Sequence, residues 1–144
     1  MVTIRLAQDT DAAELLELNR LSNSADHIAT DINYIKESLS MNKGESVFVA
    51  EEEGALIGFI AMHLTCSFAY HSPTVEITEL FVKPDCRRRG IGRSLINKVK
   101  TRCEANDALE LFLRVNRQNE AGLAFYRQCG LEQAEHFVYR IKYY

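Results

Sequence analysis

Residues 75–82, Val75-Glu76-Ile77-Thr78-Glu79-Leu80-Phe81-Val82, form an apolar run of strand character. Pro84 ends the run, and Arg87-Arg88-Arg89-Gly90-Ile91-Gly92-Arg93-Ser94 follows it as a basic glycine turn. Ile91, Leu95, Ile96 and Val99 then supply the apolar stripe of a helix reaching to about Asn106. A strand that feeds a helix through such a turn makes an anion pocket. The two glycines let the backbone bend tightly and approach a ligand, and the first N–H groups of the helix point outward with the positive end of its dipole behind them. The arginines add two-pronged donors for phosphate oxygens, so the turn predicts a site for a pyrophosphate. A Walker-type nucleotide loop is excluded, because Gly90-Ile91-Gly92-Arg93-Ser94 lacks both its four-residue spacing and its lysine.

On the N-terminal side, Thr3-Ile4-Arg5-Leu6 alternates as a strand, and Gln8-Asp9-Thr10-Asp11 is rich in helix-capping residues. Ala12, Leu15, Leu16 and Leu18 to Leu21 recur at helical spacing, Ser22 to Asp31 is polar, and Asp31 to Met41 predicts a second helix with Ile32, Ile35 and Leu39 on one face. Val47–Ala50 and Leu56–Met62 flank Glu51-Glu52-Glu53-Gly54, which predicts an antiparallel hairpin with its break at those four residues. A polar loop over Ser67 to Pro73 leads into the strand at Val75.

On the C-terminal side, Ala108 to Val115 predicts a mostly buried strand, Asn119 starts a helix that Gly130 stops, and Glu135 to Tyr144 alternates as a closing antiparallel strand should. The order is that of a mixed α/β sheet with helices on both faces.

With 144 residues and 47% apolar content, one domain can bury a core without staples. The opening residues run directly into a strand and no apolar stretch nears the ~20 residues of a membrane span, so a cytoplasmic protein is expected, with no membrane partner. Cys66, Cys86, Cys103 and Cys129 are too scattered for a zinc site or a disulfide framework, and no metal is expected. Cys86 stands just before the arginine run, where the expectation is a small loop residue rather than an activated thiol. A net charge of −3 makes the arginine run a local patch, which argues against nucleic acid.

The Arg-x-x-Gly-x-Gly pattern at Arg87, Gly90 and Gly92, placed between strand and helix, resembles that of the Gcn5-related N-acetyltransferase superfamily. Asn119-Glu120-Ala121-Gly122-Leu123-Ala124-Phe125-Tyr126 with Cys129-Gly130-Leu131 resembles its second hallmark, although alanine is usual where Gly122 stands. His63–His71 with Ile77–Val82 is also loosely similar to the aminoalkylphosphonate acetyltransferase branch. The resemblance implies one N-acetyltransferase domain over residues 1–144: a mostly antiparallel twisted sheet with a splayed central strand pair and helices on both faces. It implies acetyl-CoA as cofactor, a small-molecule primary amine as acceptor and direct attack in a ternary complex. Peptide acetylation and a non-catalytic acyl-CoA sensor are the alternatives, and a homodimer through the C-terminal strands is common among similar proteins.

Cofactor contacts are expected from Arg87, Arg88, Arg89, Gly90, Ile91, Gly92, Arg93 and Ser94. By resemblance, Leu80, Phe81 and Val82 would bond the pantetheine, with an N–H of Leu80 or Phe81 polarising the thioester carbonyl. Glu79, a carboxylate in an apolar strand, is the first candidate base, and burial would fit it to take the amine's proton. Glu76 is the alternative, on the opposite face unless a bulge intervenes. Tyr126 and Asn119, seven apart, share a helical face; by resemblance Tyr126 protonates the thiolate and Asn119 bonds the cofactor. Tyr70 and His71 lie where an acceptor would be met, His63 is expected to be structural, and Asp26, Asp31 and Glu37 would suit a cationic ligand.

Overall fold

The computed structural model of the chain describes residues 1–22 and 30–143, so Asp26 lies outside the described residues. Two compact units are present, Met1–Arg114 and Val115–Tyr144.

The first unit carries a five-stranded sheet in the order β1 (Val2–Leu6), β2 (Glu45–Glu52), β3 (Ala55–Thr65), β4 (Thr74–Val82) and β5 (Glu110–Leu113). All neighbours are antiparallel except β4 and β5, which run parallel. Three helices accompany it: α1 (Ala12–Ser22), α2 (Ile32–Met41) and α3 (Ile91–Ala105). Asp31 caps α2 by accepting the Tyr34 N–H at 2.9 Å. The β2–β3 turn is Glu53-Gly54, with both residues at positive φ (51° and 79°). A two-residue turn of this hand matches the twist of the strands. It is tighter than the four-residue break expected, so Glu51 and Glu52 complete β2 and a register shift after Ala50 absorbs the mismatch.

Pairing decides which side each residue faces. Val49, Phe59 and Phe81 fall in register across β2, β3 and β4 and form a core with Leu15 and Leu18 of α1 and Leu56, against which Ile35 and Leu39 of α2 also pack. Ile32 is exposed instead of completing the α2 stripe. On the other face Phe48 and Ile60 are fully buried, as are Leu95, Ile96 and Val99 of α3, and Arg102 and Lys98 of α3 lie over the Phe48 ring. Each such large side chain contributes roughly 1.5–3 kcal/mol by burial. Helices therefore cover both faces.

The β4–β5 register runs from Thr74–Glu110 to Ile77–Leu113 and stops there, while β4 continues to Val82. This parting is the splayed pair. β5 is four partly exposed residues rather than the longer buried strand expected over 108–115, and Leu109 is exposed. At Thr78 β4 bulges, because Ala61 pairs with Glu79 and Met62 with Ile77, and a bulged strand bends away from a parallel neighbour.

In the second unit α4 (Glu120–Gln128) is capped by Asn119, whose oxygen accepts the Gly122 N–H at 3.0 Å. It closes with Gly130 at φ 93°, the Gly130 N–H on Arg127 O and the Leu131 N–H on Tyr126 O, both at 3.0 Å. The strand expected over Glu135–Tyr144 is not formed in residues 135–143. Alternation suits a strand, but ladder bonds make one. Phe137, Tyr139 and Tyr143 are instead 86%, 93% and 85% exposed.

Candidate active site

The turn after β4 is built for an anion. Lys83 ends the strand with its N–H on Ile57 O at 2.9 Å, a 3-10 turn follows over Pro84–Cys86, and Arg88 (φ 62°) and Gly90 (φ 78°) adopt left-handed conformations. Gly90 is the N-cap of α3 and supplies no side-chain acceptor. The Ser94 N–H is the first to bond back into the helix, onto Gly90 O at 3.0 Å, so the amides of Ile91, Gly92 and Arg93 form the outward-facing end. A Cβ on Gly90 would meet nothing within 4 Å, so glycine serves the backbone angle there rather than space. These donors fit a diphosphate.

The arginines of the turn differ in their contacts. Arg87 donates through Nε to Val82 O at 2.8 Å and lies 5.6 Å from the Phe81 ring centroid, so this side chain braces the turn. Arg89 is bound by Glu52 of β2, Nη1 to Oε1 at 3.1 Å and Nη2 to Oε2 closer still. Arg88, Arg93 and Ser94 are exposed. Cys86 is buried, as expected of a small loop residue.

The bulge at Thr78 brings Glu79 and Glu76 onto one face, that of Phe81, which corrects the opposite-face expectation for a regular strand. Glu79 is exposed, so the chain itself does not bury the carboxylate as the sequence argument required. Glu76 lies 3.7 Å from Arg114. Main-chain groups alternate along β4. The Lys83 N–H points to β3 and Phe81 shares that side, whereas Leu80 and Val82 present theirs to the side where β5 has parted, as the Arg87 contact to Val82 O shows. Of the expected triplet, Leu80 and Val82 therefore offer main-chain donors there and Phe81 contributes a buried ring.

On α4, Tyr126 is half-buried with its ring 5.4 Å from that of Phe125, edge to face, and burial pushes its hydroxyl above the usual phenol range. Asn119 has its side-chain oxygen on the α4 cap. A Cβ at Gly122 would come within 2.5 Å of Asn119 Nδ2, so this side chain would have to shift to admit alanine. Tyr70 and His71 are exposed in the loop before β4. His63 Nδ1 sits 3.2 Å from Thr65 Oγ1, a local structural contact. Among the described residues no group of His, Cys, Asp and Glu is placed to hold a metal. The sequence reading missed Glu52 and Thr78; the acid-rich break at Glu51–Glu53 was the visible signal for the first.

The model of the acetyltransferase (GNAT) family matches residues 12–131, a span that holds the glycine turn, the splayed strand and α4. The chain belongs to the GNAT family. It is 29% identical over 142 residues to the uncharacterized N-acetyltransferase YhfO of Bacillus subtilis, covering 96% of this chain and 95% of that protein. It is 32% identical over 96 residues to the phosphinothricin N-acetyltransferase of Alcaligenes faecalis, covering 65% of this chain and 48% of that one. The fold superposes on the ribosomal-protein-alanine N-acetyltransferase of Brucella melitensis with a TM-score of 0.84 at 23% identity, over 99% and 100% of the two chains. The protein is thus a GNAT acetyltransferase, and acetyl-CoA is the donor that GNAT enzymes use.

Proposed function

We propose that this enzyme acetylates the primary amine of a small molecule, by direct attack in a ternary complex, within a single domain over residues 1–144. The observation that carries the reading is the α3 N-terminus, whose leading amides follow a splayed strand and have no side-chain cap. When bound, acetyl-CoA supplies an acyl group activated as a thioester. The amides of Ile91, Gly92 and Arg93, with Arg88 and Ser94 beside them, hold the diphosphate. Leu80 and Val82 offer their main-chain N–H groups to the pantetheine, as in strand addition, and the Leu80 N–H polarises the carbonyl.

Glu79 accepts the amine's proton at its carboxylate, directly or through water, and the Tyr126 hydroxyl returns a proton to sulfur. A phenol is protonated at neutral pH, and burial moves the Tyr126 hydroxyl further in that direction. Glu76, ion-paired with Arg114, stands on the acceptor side with Tyr70 and His71. Asn119 positions α4. A cytoplasmic site of action and a homodimer through the C-terminal segment complete the proposal; four reduced thiols and the exposed apolar tail support them. The small-molecule acceptor draws support from the relative that acts on phosphinothricin.

The test is thiol release from acetyl-CoA across aminophosphonates, polyamines, aminoglycosides, amino acids and peptides, alongside calorimetric titration with coenzyme A. Turnover confined to small amines is expected. Turnover confined to peptides overturns the acceptor assignment, and coenzyme A binding without turnover on any amine points to a sensor.

A further inference from the structure

The sequence offers the phosphate turn three consecutive guanidinium groups, and the fold gives two of them partners of its own. Arg87 donates its Nε to Val82 O and lies over the Phe81 ring. Arg89 meets Glu52, the last residue of β2, through both carboxylate oxygens, 37 positions away in the chain. Glu52 adjoins the positive-φ turn Glu53-Gly54 and pairs in register with Val2 and Ala55, so its backbone is fixed on both sides. Arg89 lies one residue before the N-cap of α3, where a positive charge is repelled by the helix dipole. A rigidly mounted carboxylate offsets that repulsion and leaves a nearly neutral pair beside amides that must attract a multiply charged anion.

We propose that Glu52 is a positioning residue and internal counter-ion of the phosphate turn, holding Arg89 and competing with the cofactor's phosphates for it, so that it sets how tightly coenzyme A is held. This inference rests on the acetyltransferase reading of the turn. The Glu52 carboxyl is ionised at neutral pH in any case, and Arg89 draws its pKa lower still, so the competing charge is present. A counter-ion of this kind weakens donor and product alike, since both carry the same diphosphate, and so trades donor affinity for faster release of coenzyme A after each turnover.

The test is calorimetric titration of the purified full chain with coenzyme A at low and moderate ionic strength. Glu52→Gln should bind about three- to five-fold more tightly, with a steeper loss of affinity as salt is added, because Arg89 is released to the ligand. Arg89→Gln should bind about three- to five-fold more weakly with a shallower salt dependence, since the Glu52 charge is then left facing the anion. A purely structural clamp would weaken binding in both variants. Unchanged or weaker binding by Glu52→Gln overturns the proposal; should that variant fail to fold, unchanged affinity in Arg89→Gln overturns it. Heat from the unsubstituted protein with coenzyme A tests the family reading separately, so a silent wild type and a silent substitution are distinct results.

Discussion

An alanine at position 122 would set its Cβ 2.5 Å from Asn119 Nδ2 and displace the amide that caps α4. The gain in helix propensity, roughly 1 kcal/mol, and the loss of the cap, also about 1 kcal/mol, then nearly cancel. Gly122→Ala should leave stability within about 0.5 kcal/mol of wild type, whereas Asn119→Ala alone should cost about 1 kcal/mol. In the Asn119→Ala background the same Gly122→Ala change should recover about 1 kcal/mol, and urea unfolding of the four proteins measures that coupling. Tyr126 is tested by kinetics instead. Tyr126→Phe removes the proton that the half-buried phenol retains and should lower kcat about 100-fold, leaving coenzyme A affinity within about three-fold. Wild-type turnover in that variant would remove the acid role.

The hairpin turn and the β3–β4 pair carry the predictions at the level of elements. Glu53 holds φ 51° in a turn whose geometry prefers asparagine or glycine. Glu53→Asn should therefore raise stability by about 0.5 kcal/mol, read from the shift in the urea midpoint. Gly58 faces β4 so closely that a Cβ would lie 2.8 Å from Phe81 O. Backbone cannot swing aside as a side chain can, so Gly58→Ala should cost about 1–3 kcal/mol and weaken coenzyme A binding by shifting Leu80 and Val82. The elements themselves were legible where apolar periodicity was strong: β4, α3, both hairpin strands and α4 fall where residues 47–62, 75–99 and 119–130 place them. The bulge was not, because an extra residue in one strand is defined only by its partner, and neither Thr78 nor Ala61 announces it. That one residue decides which carboxylates share a face.

Across the molecule, the contacts hardest to read were those between residues remote in sequence, such as Arg89 with Glu52 and Arg5 with Glu51. The C-terminal segment shows the converse failure, since its alternation named a strand that residues 135–143 do not form. Asp11 is buried, with its carboxylate on the Arg5 guanidinium at 2.8 Å and the Gln8 N–H at 2.8 Å; chiefly through Arg5, its pKa is lowered in the fold. A carboxyl depressed by folding contributes stability that is complete above its unfolded value, near ~3.9, and is lost as pH falls through the folded value. Acid unfolding should therefore flatten in Asp11→Asn, which should also be about 1–3 kcal/mol less stable at neutral pH; an unaltered acid limb would assign the transition to other groups.

The parting of β4 from β5 beyond Ile77 has a cost as well as a use. A strand that is central by position but behaves as an edge by bonding is a template for any extended chain, its own neighbours in a concentrated solution included. Lys83 and Pro84 stand immediately after it as a charge and a ladder-breaker, and the Arg87 contact takes the Val82 carbonyl out of play. On the donor-binding mode proposed above, acetyl-CoA covers this edge, and the enzyme without it should be the more prone to self-association.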